Sequence, residues 1–177
     1  MRKMLLTPLI LCMVALLPTL WISTVLATKP TYVYGSLAYN PVIVGSKLAG
    51  RNLHLETTEE GLWSGGLTGV SWDEPCRVVV HNAVLDAEGN IVNFDFRWYT
   101  AIATFAECTV GDKTGGLVMR CVGMDSGPGT DWSGKWVILR GTGELANLRG
   151  QGTWWGPGWP PGIPTPTIFY EGWIHFD

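Results

Sequence analysis

The chain is 177 residues long, with 12 Lys and Arg against 15 Asp and Glu, and 46% of its residues are hydrophobic. This mildly acidic balance carries no basic stripe, which argues against nucleic acid as a partner and against an anionic bilayer surface.

The first residues read as an address. Arg2 and Lys3 make a positive start, Met4 to Leu26 is predominantly apolar, and Val25-Leu26-Ala27 offers the small residues that a signal peptidase reads. Residues 1–27 are therefore expected to be a signal peptide, leaving 28–177 as one domain that is secreted or periplasmic, with no stable membrane association after cleavage. An uncleaved anchor is the alternative, since about 20 apolar residues can span a bilayer, but Pro8, Pro18 and Ser23 interrupt the run. Leu11 before Cys12 speaks against a lipid-modified cysteine.

Beyond Ala27 there is no helix-period stretch of useful length, whereas period-two runs recur between turn residues. Thr31 to Ser46 opens the chain as an irregular segment broken by Gly35, Pro41 and Gly45. Arg51 to Thr57 alternates, with Leu53 and Leu55 on one face and His54 and Glu56 on the other, the pattern of a half-buried strand. Leu62 to Val70 reads as one glycine-spaced strand. Arg77 to Asp86 places Val78, Val80 and Val84 on a common face and ends in the turn Ala87-Glu88-Gly89-Asn90.

Ile91 to Val110 is too long for one ordinary strand and is expected to bend near Thr100. Its first half sets Val92, Phe94, Phe96 and Trp98 against Asn93, Asp95, Arg97 and Tyr99, which predicts the first set as core. Gly116 to Met124 returns. Gly134 to Arg140 holds Trp136, Val137, Ile138 and Leu139, apolar on both faces and so expected to be covered on both. Gly150 to Trp155 and Thr167 to Phe176 complete about eight strands. An antiparallel set of this size closes or stacks to remove its edges, so the fold is expected to be an all-β closed barrel, with a β-sandwich as the alternative.

Cys76, Cys108 and Cys121 remain after the leader. Cys108 and Cys121 flank the turn cluster Gly111 to Gly116, and a hairpin centred near Thr114 sets them opposite each other, so a disulfide between them is expected in an exported chain. Two buried thiols are the alternative. Cys76 is then a free thiol, or pairs with one of the others.

The segment Gly141-Thr142-Gly143-Glu144-Leu145-Ala146-Asn147-Leu148-Arg149-Gly150-Gln151-Gly152-Thr153 describes a strand end, a helical turn carried by Leu145 and Leu148, and a new strand. Gly150 and Gly152 share a face there, which lets the turn lie on bare backbone. This segment, with its surroundings from Trp136 to Tyr170-Glu171-Gly172, resembles the late strand-turn-strand element of small barrels of the allene oxide cyclase-like and dirigent-like kind, which include secreted bacterial domains of unknown function. The resemblance implies a barrel of about eight strands with an apolar interior, often a homo-oligomer. Activities in that group run from cyclisation of a fatty-acid epoxide to steering of radical coupling to none known. None of the group's catalytic positions finds a match here, so no residue role is carried over.

No nucleophile elbow, phosphate loop, zinc-helix motif or dinucleotide fingerprint occurs, so no cofactor is expected. His54, His81 and His175 lie on separate strands, on their polar faces, and no spacing forces them together as metal ligands. Glu56, Asp95 and Glu171 also fall on outward faces and read as solvated charge. A small hydrophobic ligand in the interior is the leading expectation, with Phe96, Trp98, Trp136 and Tyr170 lining the cavity and Asn82, the one polar residue in an apolar alternation, orienting the guest. Two alternatives stand beside it. One is an isomerase or cyclase of the allene oxide cyclase-like type using the same cavity. The other is a carbohydrate-binding module with Trp154, Trp155 and Trp159 as a stacking platform in the Pro/Gly-rich loop. A buried carboxylate or histidine in the cavity would favour the enzyme.

Overall fold

The computed structural model describes residues 27–157 and 167–177. Residues 1–26 of the expected leader, and Trp159, lie outside the described residues. The described chain is all-β. Eight long strands close into an antiparallel barrel: β1 (Thr31–Ala49), β2 (Asn52–Gly65), β3 (Thr68–His81), β6 (Phe96–Val110), β7 (Lys113–Asp125), β8 (Trp132–Gly141), β9 (Leu148–Gly156) and β10 (Thr167–Phe176). A small hairpin, β4 (Val84–Leu85) with β5 (Ile91–Asn93), stands beside the barrel between β3 and β6. Around the wall the order is β1, β10, β9, β8, β7, β6, β3, β2, and the pairing of β1 with β2 closes the ring. Closure leaves no long edge strand to template aggregation.

Two of the expected strands are redrawn. Leu62 to Val70 is not one strand but the β2–β3 hairpin, because Gly65 takes φ +100 and turns the chain. The irregular opening segment is instead a single strand, β1, with a bulge between Ile43 and Gly45. The turn after Leu85 is present, held by the Asp86 side chain, which accepts from the Asn90 backbone N–H at 2.7 Å and from the Glu88 N–H at 3.1 Å.

Alternation along β6 has the opposite phase from the expected one. Arg97, Ala101, Ala103 and Phe105 are buried inside, while Trp98 is 43% exposed and Val92, on β5, is 55% exposed; of the set expected as core, Phe94 does pack inward, against Leu53, Leu55 and Val80. The reason is a partner on another strand. Arg97 is paired in register with Asp125 at the end of β7, whose carboxylate receives the Arg97 backbone N–H at 2.9 Å and its Nε–H at 2.8 Å. With its charge neutralised, and its guanidinium 4.6 Å from the ring centres of both Phe94 and Trp132, Arg97 can occupy an inner position. Phe96 is left on the outside, stacked on His81 at 4.0 Å. On β8, Trp136 and Ile138 point inward, but Leu139 is 48% exposed, so the outer face of that strand is not covered as expected.

The expected disulfide does not form. Cys76, Cys108 and Cys121 are all buried free thiols. The hairpin turns at Gly111, where φ is +63, rather than at Thr114. Each residue of displacement in the turn moves the pairing by two, so Cys108 faces Gly115 and Cys121 faces Ala101. Six residues of strand, about 20 Å, then separate Cys121 from the position opposite Cys108, well beyond disulfide reach.

The short helical turn is there, as a 3-10 turn over Gly143–Leu145, with Leu145 and Leu148 fully buried. It does not rest on Gly150 and Gly152, however. A Cβ at Gly115 or Gly141 would collide with the backbone of this turn, so those are the glycines that admit it. Gly152 serves the barrel interior, since a Cβ there would come within 2.6 Å of the Trp136 indole.

Candidate functional site

Large rings lie across bare backbone inside this barrel. One row around the wall runs Tyr99, Gly123, Gly134, Trp154, Tyr170, Gly35. Trp154 fills the space that Gly123 and Gly134 leave, since a Cβ on either would come within 2.6 Å of its indole. Its ring thereby reaches Tyr99 edge-on, with centres 5.8 Å apart, and Trp132 meets the same tyrosine at 6.0 Å.

Four of the five residues expected to line a ligand cavity do other work. Asn82 sits in the turn after β3 at φ 51, where its amide bonds to the Asp95 carboxylate. Phe96 and Trp98 face outward. Trp136 is inside but belongs to the packed core, its Nε1 donating to the carbonyls of Thr153 at 3.2 Å and Glu171 at 3.1 Å.

Tyr170 does line the cavity, yet its hydroxyl is spent on the β2–β3 turn. It accepts from the Leu67 N–H at 2.8 Å and lies 3.0 Å from the carbonyls of Ser64 and Leu67. Burial pushes its pKa up to about 12, so it stays a neutral donor. Tyr170→Phe is expected to lower stability by about 1–3 kcal/mol, because it orphans the buried Leu67 N–H. Urea unfolding monitored by tryptophan fluorescence checks this.

The cavity itself measures about 60 Å³ and lies inside the barrel between the β2–β3–β6 wall and the β8–β9 wall. It adjoins a wider vestibule of about 710 Å³ at the end where β4 and β5 stand, and Val78 and Trp132 line both. Leu37, Tyr39, Trp63, Val78 and Ile168 make most of the inner lining apolar.

Two acids sit in that lining. Glu59 is 7% exposed and Asp73 5% exposed, and they face each other in register on β2 and β3. The Tyr99 hydroxyl lies 3.2 Å from Glu59 Oε2 and 3.4 Å from Asp73 Oδ2. Glu59 also receives the Thr57 hydroxyl and the Cys76 thiol, both at 3.2 Å on Oε1. Asp73 receives the Ser71 hydroxyl at 3.0 Å, and Ser71 in turn accepts from Trp63 Nε1 at 3.0 Å.

A phenol has one hydrogen to give, so it cannot satisfy two carboxylates at once. The two carboxyls therefore compete for one donor. Burial raises the pKa of Asp73 to about 7, and the neighbouring Glu59 charge adds to the rise. Burial raises Glu59 as well, against the opposing pull of its three donors. The Cys76 thiol is pushed up by burial and by Glu59, which makes it a hydrogen-bond donor here rather than a nucleophile.

Opposite the acids stand two donors. Trp132 Nε1 and Trp154 Nε1 are buried without a hydrogen-bond partner among the described residues. Buried polar atoms in this state are rare and call for an explanation.

Sequence reasoning missed Glu59 and Asp73, although a signal for the first was present. The phase set by Leu53 and Leu55, continued past Thr57, puts Glu59, Gly61 and Trp63 inside, as observed. Asp73 had no such signal, because the bulge between Asp73 and Arg77 sends both Asp73 and Cys76 inward despite their spacing of three. The stacking platform finds no support in β9. Trp154 is buried and Trp155 is 40% exposed, so the two rings occupy opposite faces of one strand.

No protein-family model matches the chain, and no curated protein matches it. Among solved structures, it is similar to a protein of unknown function of the DUF3224 family from Shewanella oneidensis, with TM-score 0.56 and 16% identity over 84% of this chain and 98% of the other. At that identity the likeness concerns the fold alone.

Proposed function

We propose that the barrel binds a small, mostly apolar molecule whose one hydrogen-bond acceptor enters the inner cavity. The observation that carries this reading is the pair of buried, unpartnered indole N–H groups on Trp132 and Trp154. Both belong to the lining of a mostly apolar chamber, the usual setting in which a few polar groups orient a guest. A carbonyl or ether oxygen supplies the missing partner. The chamber of about 60 Å³ admits only the polar head of such a molecule, and its body occupies the vestibule. On the composition of residues 1–27 we place this binding outside the cytoplasm.

Benzylacetone, a phenyl tail on a methyl ketone, and butylbenzene, which lacks the oxygen, separate this reading from simple apolar packing. Tryptophan fluorescence titration is expected to show benzylacetone binding roughly tenfold more tightly, the worth of one good hydrogen bond. Trp132→Phe and Trp154→Phe keep the ring volume close and are each expected to reduce that preference roughly three- to tenfold. Equal affinity for the two compounds, or no binding of either, overturns the reading.

A further inference from the structure

We infer that Glu59 and Asp73 form an acid–base couple that moves a proton between two carbon atoms of a bound carbonyl compound, a class typified by β,γ-unsaturated ketones. This rests on the binding reading above and adds chemistry to it.

Three observations converge on it. The carboxyls face one another across β2 and β3, both in contact with the Tyr99 hydroxyl, and both line the cavity. A single phenolic hydrogen between two acids leaves room for one mobile proton, so the couple contains one acid and one base together. The indoles whose N–H groups lack a partner stand on the opposite wall, on β8 and β9, and line the same chamber as the acids. A purely structural carboxyl pair would not need donors waiting on the far side of an apolar space.

The step balances without any co-reactant. The ionised carboxyl takes the proton from the α carbon. The C–H electron pair becomes the double bond between that carbon and the carbonyl carbon, and the carbonyl π pair moves onto oxygen. The indole N–H groups stabilise the resulting dienolate oxygen, in a site that excludes most water. Collapse of the dienolate restores the carbonyl, sets the carbon–carbon double bond in conjugation, and draws a proton onto the γ carbon from the carboxyl that has just gained one. The couple ends as it began. Thr57, Cys76 and Ser71 are positioning residues, each holding one carboxylate oxygen.

The test uses the whole protein with allyl phenethyl ketone, which carries the same aryl tail as benzylacetone. Binding is followed by tryptophan fluorescence, conversion by the absorbance of the conjugated enone, and exchange at the α carbon by proton NMR in D2O. Conversion at least a hundredfold above buffer is expected, with Glu59→Gln and Asp73→Asn each losing about a hundredfold or more while affinity changes less than threefold. Trp132→Phe is expected to weaken binding and slow conversion together. Ketone binding with neither exchange nor conversion by the native protein overturns this inference and leaves the binding reading intact. Absence of binding overturns both. Should one carboxyl variant fail to fold, the native protein's exchange in D2O still decides.

Discussion

Asp125→Ala is expected to cost about 3–5 kcal/mol of folding stability, a large part of what a domain of this size possesses. The substitution leaves the Arg97 guanidinium, 8% exposed, inside the barrel with no counter-charge. It also removes the acceptor of the Arg97 backbone N–H, so β6 loses a tie at the point where it enters the wall. The loss should reach the cavity, because Arg97 rests against Trp132, one of the two rings that carry the unpartnered donors. Urea unfolding of native protein, of Asp125→Ala, and of the double variant Arg97→Met with Asp125→Leu separates a missing charge partner from a missing shape. The double variant is expected to lie within about 2 kcal/mol of native, since a well-packed apolar pair often replaces a buried ion pair at little cost. A single variant as stable as native would mean that Arg97 reaches water and that the inverted phase of β6 has another cause.

The carboxyl couple predicts a second large effect, in the dependence of stability on pH. Burial raises Asp73 from 3.8 to about 7, so between these values the folded chain keeps a proton that the unfolded chain has released. The favourable contribution of this group is full below about pH 4 and is lost as pH rises through about 7. Glu59, shifted in the same direction, adds to the trend. Around the pair, Tyr99 and Cys76 stay neutral because burial raises both, and Arg97 faces Asp125 instead. Asp73→Asn removes the charge that burial penalises. It is expected to exceed native stability at pH 8 by about 1–4 kcal/mol, or roughly 3–10 °C in Tm, with the gap closing toward pH 4. Thermal unfolding across that pH range checks the sign. A variant less stable than native at pH 8 would contradict it. The same substitution is expected to slow the proposed proton transfer about a hundredfold or more, the exchange of stability for chemistry common at functional sites with buried charge.

Much of the scaffold was legible beforehand. The period-two runs, the turn after Leu85, the Thr167–Phe176 strand and the apolar turn at Leu145 and Leu148 all lie where local pattern puts them. These features depend on near neighbours in the chain, which a sequence displays directly. Phase and register were another matter. Alternation divides β6 into two faces but does not say which one looks inward, and both faces carry aromatic residues. The choice fell to Asp125, which comes from the far end of the next strand and neutralises Arg97. Likewise the place of one turn, at Gly111 instead of Thr114, separated two cysteines that spacing alone would have joined.

The candidate site belongs to the same second category. Alternation along β2 turns Glu59 inward and gives no such hint for Asp73, but neither residue type announces burial, because a carboxyl is buried only when distant strands bring it donors and a charge environment it can tolerate. Here those donors come from Thr57, Ser71, Cys76 and Tyr99, three strands in all, and the facing indoles from two more. Local alternation was enough to specify a sheet of about eight strands; closing it into a ring decided which side chains would share the interior, since burial is a property of the assembled wall and not of any one strand.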